Sequence, residues 1–299
     1  MITFRSLYQS ARLRSLPLSM SGIILGSAIA YSQGYFQWDI FLWALLTTIL
    51  FQVLSDYAND YGDAQKGTDN ERRLGPKRAI QSGTMTLTEM KKVVVITAIL
   101  SAISALVLIG ISLKEQWILA IIFTMLGGAA IFAAIRYTVG KSAYGYKGLG
   151  DLFVFIFFGW VSVLGSYMLY SKVLEPLVLL PASACGLLSM AVLNLNNMRD
   201  IENDQQMGKY TIPVKIGFSL AKYYHYLLVI LPMFLMMLYT ILTFSFGYKA
   251  LYIIAFIPLV FHLFYVKGVK NPKDFDSQLK VVALSTFLMS ILFFIGELL

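Results

Sequence analysis

Ile40-Phe41-Leu42-Trp43-Ala44-Leu45-Leu46-Thr47-Thr48-Ile49-Leu50-Phe51-Gln52-Val53-Leu54 leads, after four residues, into Asn59-Asp60-Tyr61-Gly62-Asp63-Ala64-Gln65-Lys66-Gly67-Thr68-Asp69. The first part is apolar enough to lie in a bilayer, and the second is a dense set of acids and amides at its end. A helix continuing through both sets Asn59 one turn from Asp63 and puts Asp56 and Asp60 on the neighbouring stripe, so several oxygens converge on one point. A hard cation such as Mg2+ suits an all-oxygen environment and takes one or two carboxylates, with water and phosphate completing its shell. A solvated, Asx-rich helix cap accounts for the same residues without a metal.

A second cluster of this kind, Asn196-Asn197-Met198-Arg199-Asp200-Ile201-Glu202-Asn203-Asp204, follows the apolar run from Pro176 to Leu195. Asp200 and Asp204 are four apart and point the same way from one helix, with Asn196 a turn earlier. Two such clusters, each at the end of an apolar run, favour one coordinated site over two unrelated caps, because acids at membrane depth are costly unless they have a function.

Composition sets the class. Of 299 residues, 58% are hydrophobic and 13% charged, against about one quarter charged in a soluble domain. At about 20 apolar residues per helical crossing, the runs predict an all-α membrane protein of nine transmembrane helices in one bundle. They cover about residues 16–34, 40–58, 93–112, 117–135, 152–170, 176–195, 223–243, 250–266 and 281–298. Cytoplasmic loops collect Lys and Arg. With sides alternating, all 24 basic residues except Lys114, Lys172 and Lys249 fall on one side, which predicts a cytoplasmic N-terminus and an external C-terminus. The net charge of +8 then reflects topology and an anionic ligand, since a nucleic-acid partner would need a soluble basic face. Cys185, the only cysteine, lies in an apolar run, which excludes a disulfide framework or thiolate metal site. His225 and His262 have no ligand-spaced neighbour and read as packing residues.

Along the chain, the arginines of residues 1–15 precede an apolar run ending in Ala28-Ile29-Ala30, a form shared with signal peptides. Gly22, Gly26, Ser27 and Ala28 also suit close helix packing in lipid, and the segment is expected to be retained. The longest polar segment, Asn59 to Lys92, holds a chain break at Gly75-Pro76-Lys77-Arg78. Within it, Thr86-Leu87-Thr88-Glu89 has the form of a capping box opening the third span. A similar order follows the second acid cluster: Gly208-Lys209, a Thr and a Pro, then Gly217-Phe218-Ser219 opening the seventh span. The recurrence suits a single domain, residues 1–299, made of two pseudo-repeats at about 16–135 and 152–266. Between the copies, Arg136-Tyr137-Thr138-Val139-Gly140-Lys141-Ser142-Ala143-Tyr144-Gly145-Tyr146-Lys147 adds cations and tyrosines. Such tyrosines fit an interfacial belt or a surface whose ring faces stabilise a cation.

Acids, amides and many Lys and Arg at one membrane face suit a ligand that is both polyanionic and greasy, and a prenyl diphosphate has that chemistry. Mg2+ on the carboxylates would bridge the diphosphate, and basic residues would neutralise the charge that develops as it departs. The tail would lie between helices, in lipid. The metal-side set is Asn59, Asp60, Asp63, Asn196, Asn197, Asp200 and Asp204, with Asp69 left open. The diphosphate set is Lys66, Arg72, Lys77, Arg78, Lys141, Arg199 and Lys209, chosen for nearness in sequence to the acids. A cation transporter also places carboxylates in a bundle, but near the bilayer midplane in broken helices.

These residues resemble the UbiA-type intramembrane aromatic prenyltransferases, whose Asn-Asp-x-x-Asp and Asp-x-x-x-Asp motifs follow the second and sixth of nine helices. Asn59-Asp60-x-x-Asp63 and Asp200-x-x-x-Asp204 occupy those places. The commonest form has a further Asp where this chain has Gly67, and the next acid is Asp69. That spacing is similar to the menaquinone branch. So are Asn197-Met198-Arg199-Asp200-Ile201, Gly208-Lys209-Tyr210-Thr211, and Gly148-Leu149-Gly150-Asp151 ahead of Phe157-Phe158-Gly159. The resemblance implies a Mg2+-dependent enzyme of the bacterial inner membrane, active at its cytoplasmic face. The implied reaction is ionisation of an allylic polyprenyl diphosphate, capture of the carbocation by 1,4-dihydroxy-2-naphthoate, and loss of carbon dioxide to give demethylmenaquinol. Alternative acceptors are 4-hydroxybenzoate and homogentisate. Tyr137, Tyr144 and Tyr146 are expected to shield the carbocation, and Arg136 or Lys141 to hold the acceptor carboxylate.

Overall fold

Lipid offers no hydrogen bonds to a backbone, so each apolar run must satisfy its own amides as a helix. The computed structural model describes residues 4–70 and 74–299, with side chains from residue 6. Among the described residues, nine helices are long and apolar enough to cross a membrane. They are Ser6–Ser32, Trp38–Gln65, Leu87–Ser112, Trp117–Arg136, Gly150–Ser171, Pro176–Arg199, Phe218–Leu242, Gly247–Gly268 and Pro272–Leu298, numbered here as spans one to nine. The described residues contain no strand. The chain is an integral membrane protein.

Two boundaries differ from the sequence reading in a way that matters. Span one starts at Ser6 rather than near residue 16, and span two runs to Gln65 rather than 58. Within span one, Arg12 takes a left-handed conformation (φ 41°), turning the chain between the helices Phe4–Ser10 and Leu16–Ser32. Span three opens as read: Thr86 accepts from Glu89 N at 3.2 Å, and the Glu89 carboxylate accepts from Thr86 N at 3.0 Å. Such a cap contributes about 0.5–2 kcal/mol.

Span one is the most enclosed of the nine and span four the least, with 67% against 6% of their apolar windows buried. Span four packs on spans two and three, and its remaining surface faces lipid. Gly22 and Gly26 let span one press on the π-helical segment Phe155–Leu164 of span five and the helix after it. A Cβ at either glycine would fall 2.1 Å from a serine Oγ, of Ser162 or Ser166.

The histidines are not isolated, contrary to the sequence reading. His225 Nε2 and His262 Nε2 are 2.7 Å apart, and both residues are buried. Asn194 Nδ2, 3.1 Å from Ala221 O and 3.5 Å from His225 Nδ1, can only donate. His225 Nδ1 is therefore an acceptor, His225 Nε2–H donates to His262, and His262 Nδ1–H donates to Gln278 Oε1 at 2.7 Å. One directional chain thus ties spans six, seven, eight and nine together just below the second acid cluster. Replacing His262 with Leu leaves a buried donor and a buried acceptor without partners, and is expected to cost about 2 kcal/mol or more. Thermal unfolding in detergent checks this. The double variant with His225→Leu should lose less than the sum of the two singles, and unfolding midpoints equal to the parent's would refute the role given to the chain.

Candidate active site

Span two stays helical through Gln65, so Asp56, Asp60 and Asp63 project from successive turns. Gly62 permits a close approach here, since a Cβ would stand 2.4 Å from Thr138 Oγ1. The loop after span four therefore lies directly on the motif. Thr138 Oγ1 is 3.0 Å from Ala58 O and 3.4 Å from Asn59 Oδ1. Further along that loop, the Tyr146 hydroxyl donates to Asp63 Oδ1 at 2.8 Å and accepts from Thr68 Oγ1 at 2.5 Å.

The acids of this motif do not converge on one point. Two guanidinium groups separate them. Arg12 pairs with Asp60 and lies 3.6 Å from Asp56. Arg78 lies 2.7 Å from Asp63 Oδ2, 3.0 Å from Asp69 Oδ2, 3.4 Å from Asp60 Oδ1 and 3.1 Å from Asn59 O. Asp69 thereby joins the site. Burial by itself would lower the pKa of Arg78, but Asp63, Asp60 and Asp69 together raise it above the ordinary guanidinium value.

The second motif is not on one continuous helix. Span six closes at Arg199, Asp200 leaves helical geometry (φ −97°, ψ 13°), and a short helix Ile201–Gln206 follows. Asp204 N still donates to Asp200 O at 2.8 Å, which keeps the two acids a turn apart. Arg199 is fully enclosed. Its Nη2 donates to Asp200 Oδ2 at 2.6 Å and Asn196 Oδ1 at 2.9 Å, and its Nη1 to Asp276 Oδ1 of span nine at 2.5 Å. Arg199 and Asn196 were expected to face the ligand. Their polar atoms bind each other and Asp276 instead, clamping the motif to span nine.

Lys209 Nζ is 3.4 Å from Asp204 Oδ1. Burial would lower the pKa of Lys209, but Asp204 and Asp63 raise it above the usual ammonium value. Burial pushes Asp204 up to about 6, with Lys209 opposing the rise and Asp200 and Asp63 adding to it. Asp204 is thus an acid whose charge calls for a further cation. Its Oδ2, Asn197 Oδ1 and Asn203 Oδ1 are all buried without a hydrogen-bond partner among the described residues.

The two motifs meet where Asn203 Nδ2 donates to Thr68 O at 3.2 Å. Over this junction, Lys66 Nζ stands 3.7 Å and Lys209 Nζ 5.9 Å from the centre of the Tyr146 ring. Tyr137 is close enough to feel the same charges. Burial pushes its hydroxyl up to about 12, with Lys209 opposing and Asp151, Asp63 and Asp204 adding. Tyr144 has a different setting: its hydroxyl donates to Ala133 O at 2.9 Å and its ring stacks on Phe153 at 3.9 Å. Arg136 lies 5.9 Å from the Phe132 ring of its own helix. Lys77 and Lys141 are exposed, with no ion pair among the described residues. Arg72 lies outside the described residues.

Sequence reasoning missed Arg12 and Asp276 altogether and gave no role to Thr68 or Asn203. Their contacts join residues 48, 77 and 135 positions apart, and no periodicity reports such pairs.

The model of the UbiA prenyltransferase family matches residues 19–292. The chain belongs to that family. Among UbiA relatives, the 1,4-dihydroxy-2-naphthoate octaprenyltransferase of Escherichia coli (strain K12) is 41% identical over 290 residues, covering 96% of this chain and 93% of that one. The fold is similar to a UbiA homolog from Aeropyrum pernix K1, with TM-score 0.66 and 14% identity over 94% of this chain and 99% of that one. It is also similar to a UbiA homolog from Archaeoglobus fulgidus bound to DMAPP and Mg2+, with TM-score 0.59 and 14% identity over 94% and 98% of the two chains.

Among the described residues of this UbiA protein, no group of three His, Cys, Asp or Glu side chains encloses a metal alone. The donor set nonetheless fits Mg2+, which needs only one or two carboxylates when water and phosphate complete its shell. Asp204 Oδ2 and Asn197 Oδ1 are buried oxygens in want of a partner.

Proposed function

We propose that the protein transfers a polyprenyl group from an allylic polyprenyl diphosphate to 1,4-dihydroxy-2-naphthoate, with loss of carbon dioxide, at the cytoplasmic face of a bacterial inner membrane. The observation that carries this reading is the junction of the two acid motifs at Asn203 and Thr68, with the buried cations Arg78 and Lys209 beside it. The identity with the Escherichia coli enzyme supports the choice of acceptor. Mg2+, present with DMAPP in the Archaeoglobus fulgidus homolog, would be held by Asp204 and Asn197 with the acids of span two, and supplies positive charge to the diphosphate.

The chain's own residues do the rest. Arg12, Arg78 and Arg199 hold the acids in place. Arg78, Lys209 and Lys66 face the charge that grows on the leaving oxygen as the allylic C–O bond breaks. Tyr137 offers its ring to the allylic cation, and its hydroxyl stays protonated at neutral pH. The carbon bearing the carboxylate of the electron-rich ring attacks, and the electrons of the C–CO2 bond return to the ring as carbon dioxide leaves. Enclosure keeps water from the cation until then.

Purified protein given farnesyl diphosphate, Mg2+ and a panel of 1,4-dihydroxy-2-naphthoate, 4-hydroxybenzoate and homogentisate should prenylate the first and release carbon dioxide. Exclusive prenylation of 4-hydroxybenzoate with its carboxylate retained would overturn the acceptor while leaving the transfer chemistry standing. The placement has its own test. In a Cys185→Ala background, single cysteines replacing Ser82, Ser142 and Ser171 are exposed to an impermeant thiol reagent on intact cells. Position 171 should be labelled, and labelling at 82 or 142 would refute a cytoplasmic site.

A further inference from the structure

Arg199 grips the residue next to it in the chain. Its Nε lies 3.2 Å from Asp200 Oδ1 and its Nη2 2.6 Å from Asp200 Oδ2. On an unbroken helix adjacent side chains point about 100° apart and do not face each other. The two-pronged contact therefore goes with the departure from helical geometry at Asp200 (φ −97°, ψ 13°). That departure starts the short helix Ile201–Gln206, which carries Asn203 to Thr68 O and Asp204 to Lys209. Whatever holds Arg199 thus sets where Asp204 and its unpartnered Oδ2 stand. The remaining prong, Nη1, goes to Asp276 Oδ1 at 2.5 Å, on the first residue of the helix Asp276–Leu298 in span nine.

Span nine is held there from a second side. Gln278 Oε1 accepts from His262 Nδ1 at 2.7 Å, at the far end of the chain that begins at Asn194 of span six. Residues two apart on a helix project about 200° from each other, so Asp276 and Gln278 leave span nine on opposite sides. One contact would let the helix roll about its axis, and two on opposite sides prevent it. We infer that Asp276 is a positioning residue for the second acid motif: with its own direction fixed by the Gln278 contact, it holds Arg199 so that Asp200 and Asp204 are set to meet a divalent cation. The identity of that cation, Mg2+ carried with a diphosphate, rests on the prenyl-transfer reading above. Charge points the same way. One guanidinium lies between two carboxylates, so Asp276 draws on the charge of Arg199 and leaves Asp200 part of its own to offer a cation. The Arg199 side chain is wholly enclosed, whereas that of Asp276 is 42% exposed, so Asp276 can be altered with little disturbance of the packing.

Asp276→Asn, Asp276→Glu and His262→Leu test this with Mn2+ as a probe, its binding to the purified protein followed by electron paramagnetic resonance in competition with Mg2+. In Asp276→Asn the Mn2+ dissociation constant should rise about threefold to tenfold, the range between an exposed ion pair and a buried one. The Mg2+ concentration for half-maximal prenyl transfer should rise in parallel, while the KM for 1,4-dihydroxy-2-naphthoate stays within about twofold of the parent's. Asp276→Glu keeps the carboxylate at a half-open position and should restore both constants to within about twofold. His262→Leu releases Gln278 and should raise the Mn2+ constant in the same direction, although His262 is on span eight and belongs to neither motif. An Asp276→Asn protein that melts earlier but binds Mn2+ as the parent does would make Asp276 a structural tie only and overturn the inference. So would a glutamate variant as weak as the asparagine one, an unchanged Mn2+ constant in a folded His262→Leu protein, or a parent that binds no Mn2+ displaceable by Mg2+. A parent that binds Mn2+ yet transfers no prenyl group would instead remove the transfer reading, and the binding constants would still decide the role of Asp276.

Discussion

Asp204→Asn is expected to lower turnover about a hundredfold to a thousandfold, because it removes the carboxylate best suited to carry positive charge onto the diphosphate. The other motif acids already have firm cationic partners: Asp60 has Arg12, Asp63 has Arg78 and Asp200 has Arg199. Asp204 has only Lys209 at 3.4 Å, one oxygen without a partner, and a pKa pushed up to about 6 by burial. Asparagine keeps the shape and one acceptor oxygen, so the variant should fold, which circular dichroism and gel filtration would verify. The Mg2+ concentration for half-maximal activity should rise more for Asp204→Asn than for Asp200→Asn, since the latter acid is bound up with Arg199. Alanine substitutions at Asp60, Asp63, Asp200 and Asp204 extend the test. If any two well-folded variants keep near-normal turnover at limiting Mg2+, the site is misassigned.

Arg78→Ala should be the most damaging single change to the fold among the basic residues. It withdraws the one guanidinium that touches Asp60, Asp63, Asp69 and the carbonyl of Asn59. Removing one partner of a buried ionic cluster costs about 3–5 kcal/mol, because the charges left behind are neither paired nor solvated. The expected result is a sharply lowered unfolding temperature and poor recovery from detergent. Arg78→Lys keeps the charge but not the planar fork that spans several carboxylates. It should fold well enough for kinetics, with a raised KM for the prenyl diphosphate. An Arg78→Ala protein with the parent's melting behaviour would show that the cluster carries little of the stability assigned to it here.

Both expectations use contacts that sequence spacing could not supply, while much else was legible. The nine spans were, because an apolar run long enough to cross lipid has one way to satisfy its backbone. So was the position of each motif at the end of a span, and the capping box of Thr86 and Glu89, since these depend on neighbours three or four residues apart. The diphosphate-side cations were read less well. Choosing them by nearness in sequence included Lys77 and Lys141, which are exposed, and passed over Arg12, which pairs with Asp60.

The amino-acid sequence by itself determined the span count, the two acid motifs and the family they belong to, all properties of local pattern. Only the tertiary structure decided which cation neutralises which acid. It also decided that the second motif breaks at Asp200, that the two histidines share one buried chain, and that Asn203 joins the motifs at Thr68. The physical reason is common to all four. A polar group buried near a membrane must find a partner, and that partner is whichever side chain helix packing brings within about 3 Å, at any distance along the chain.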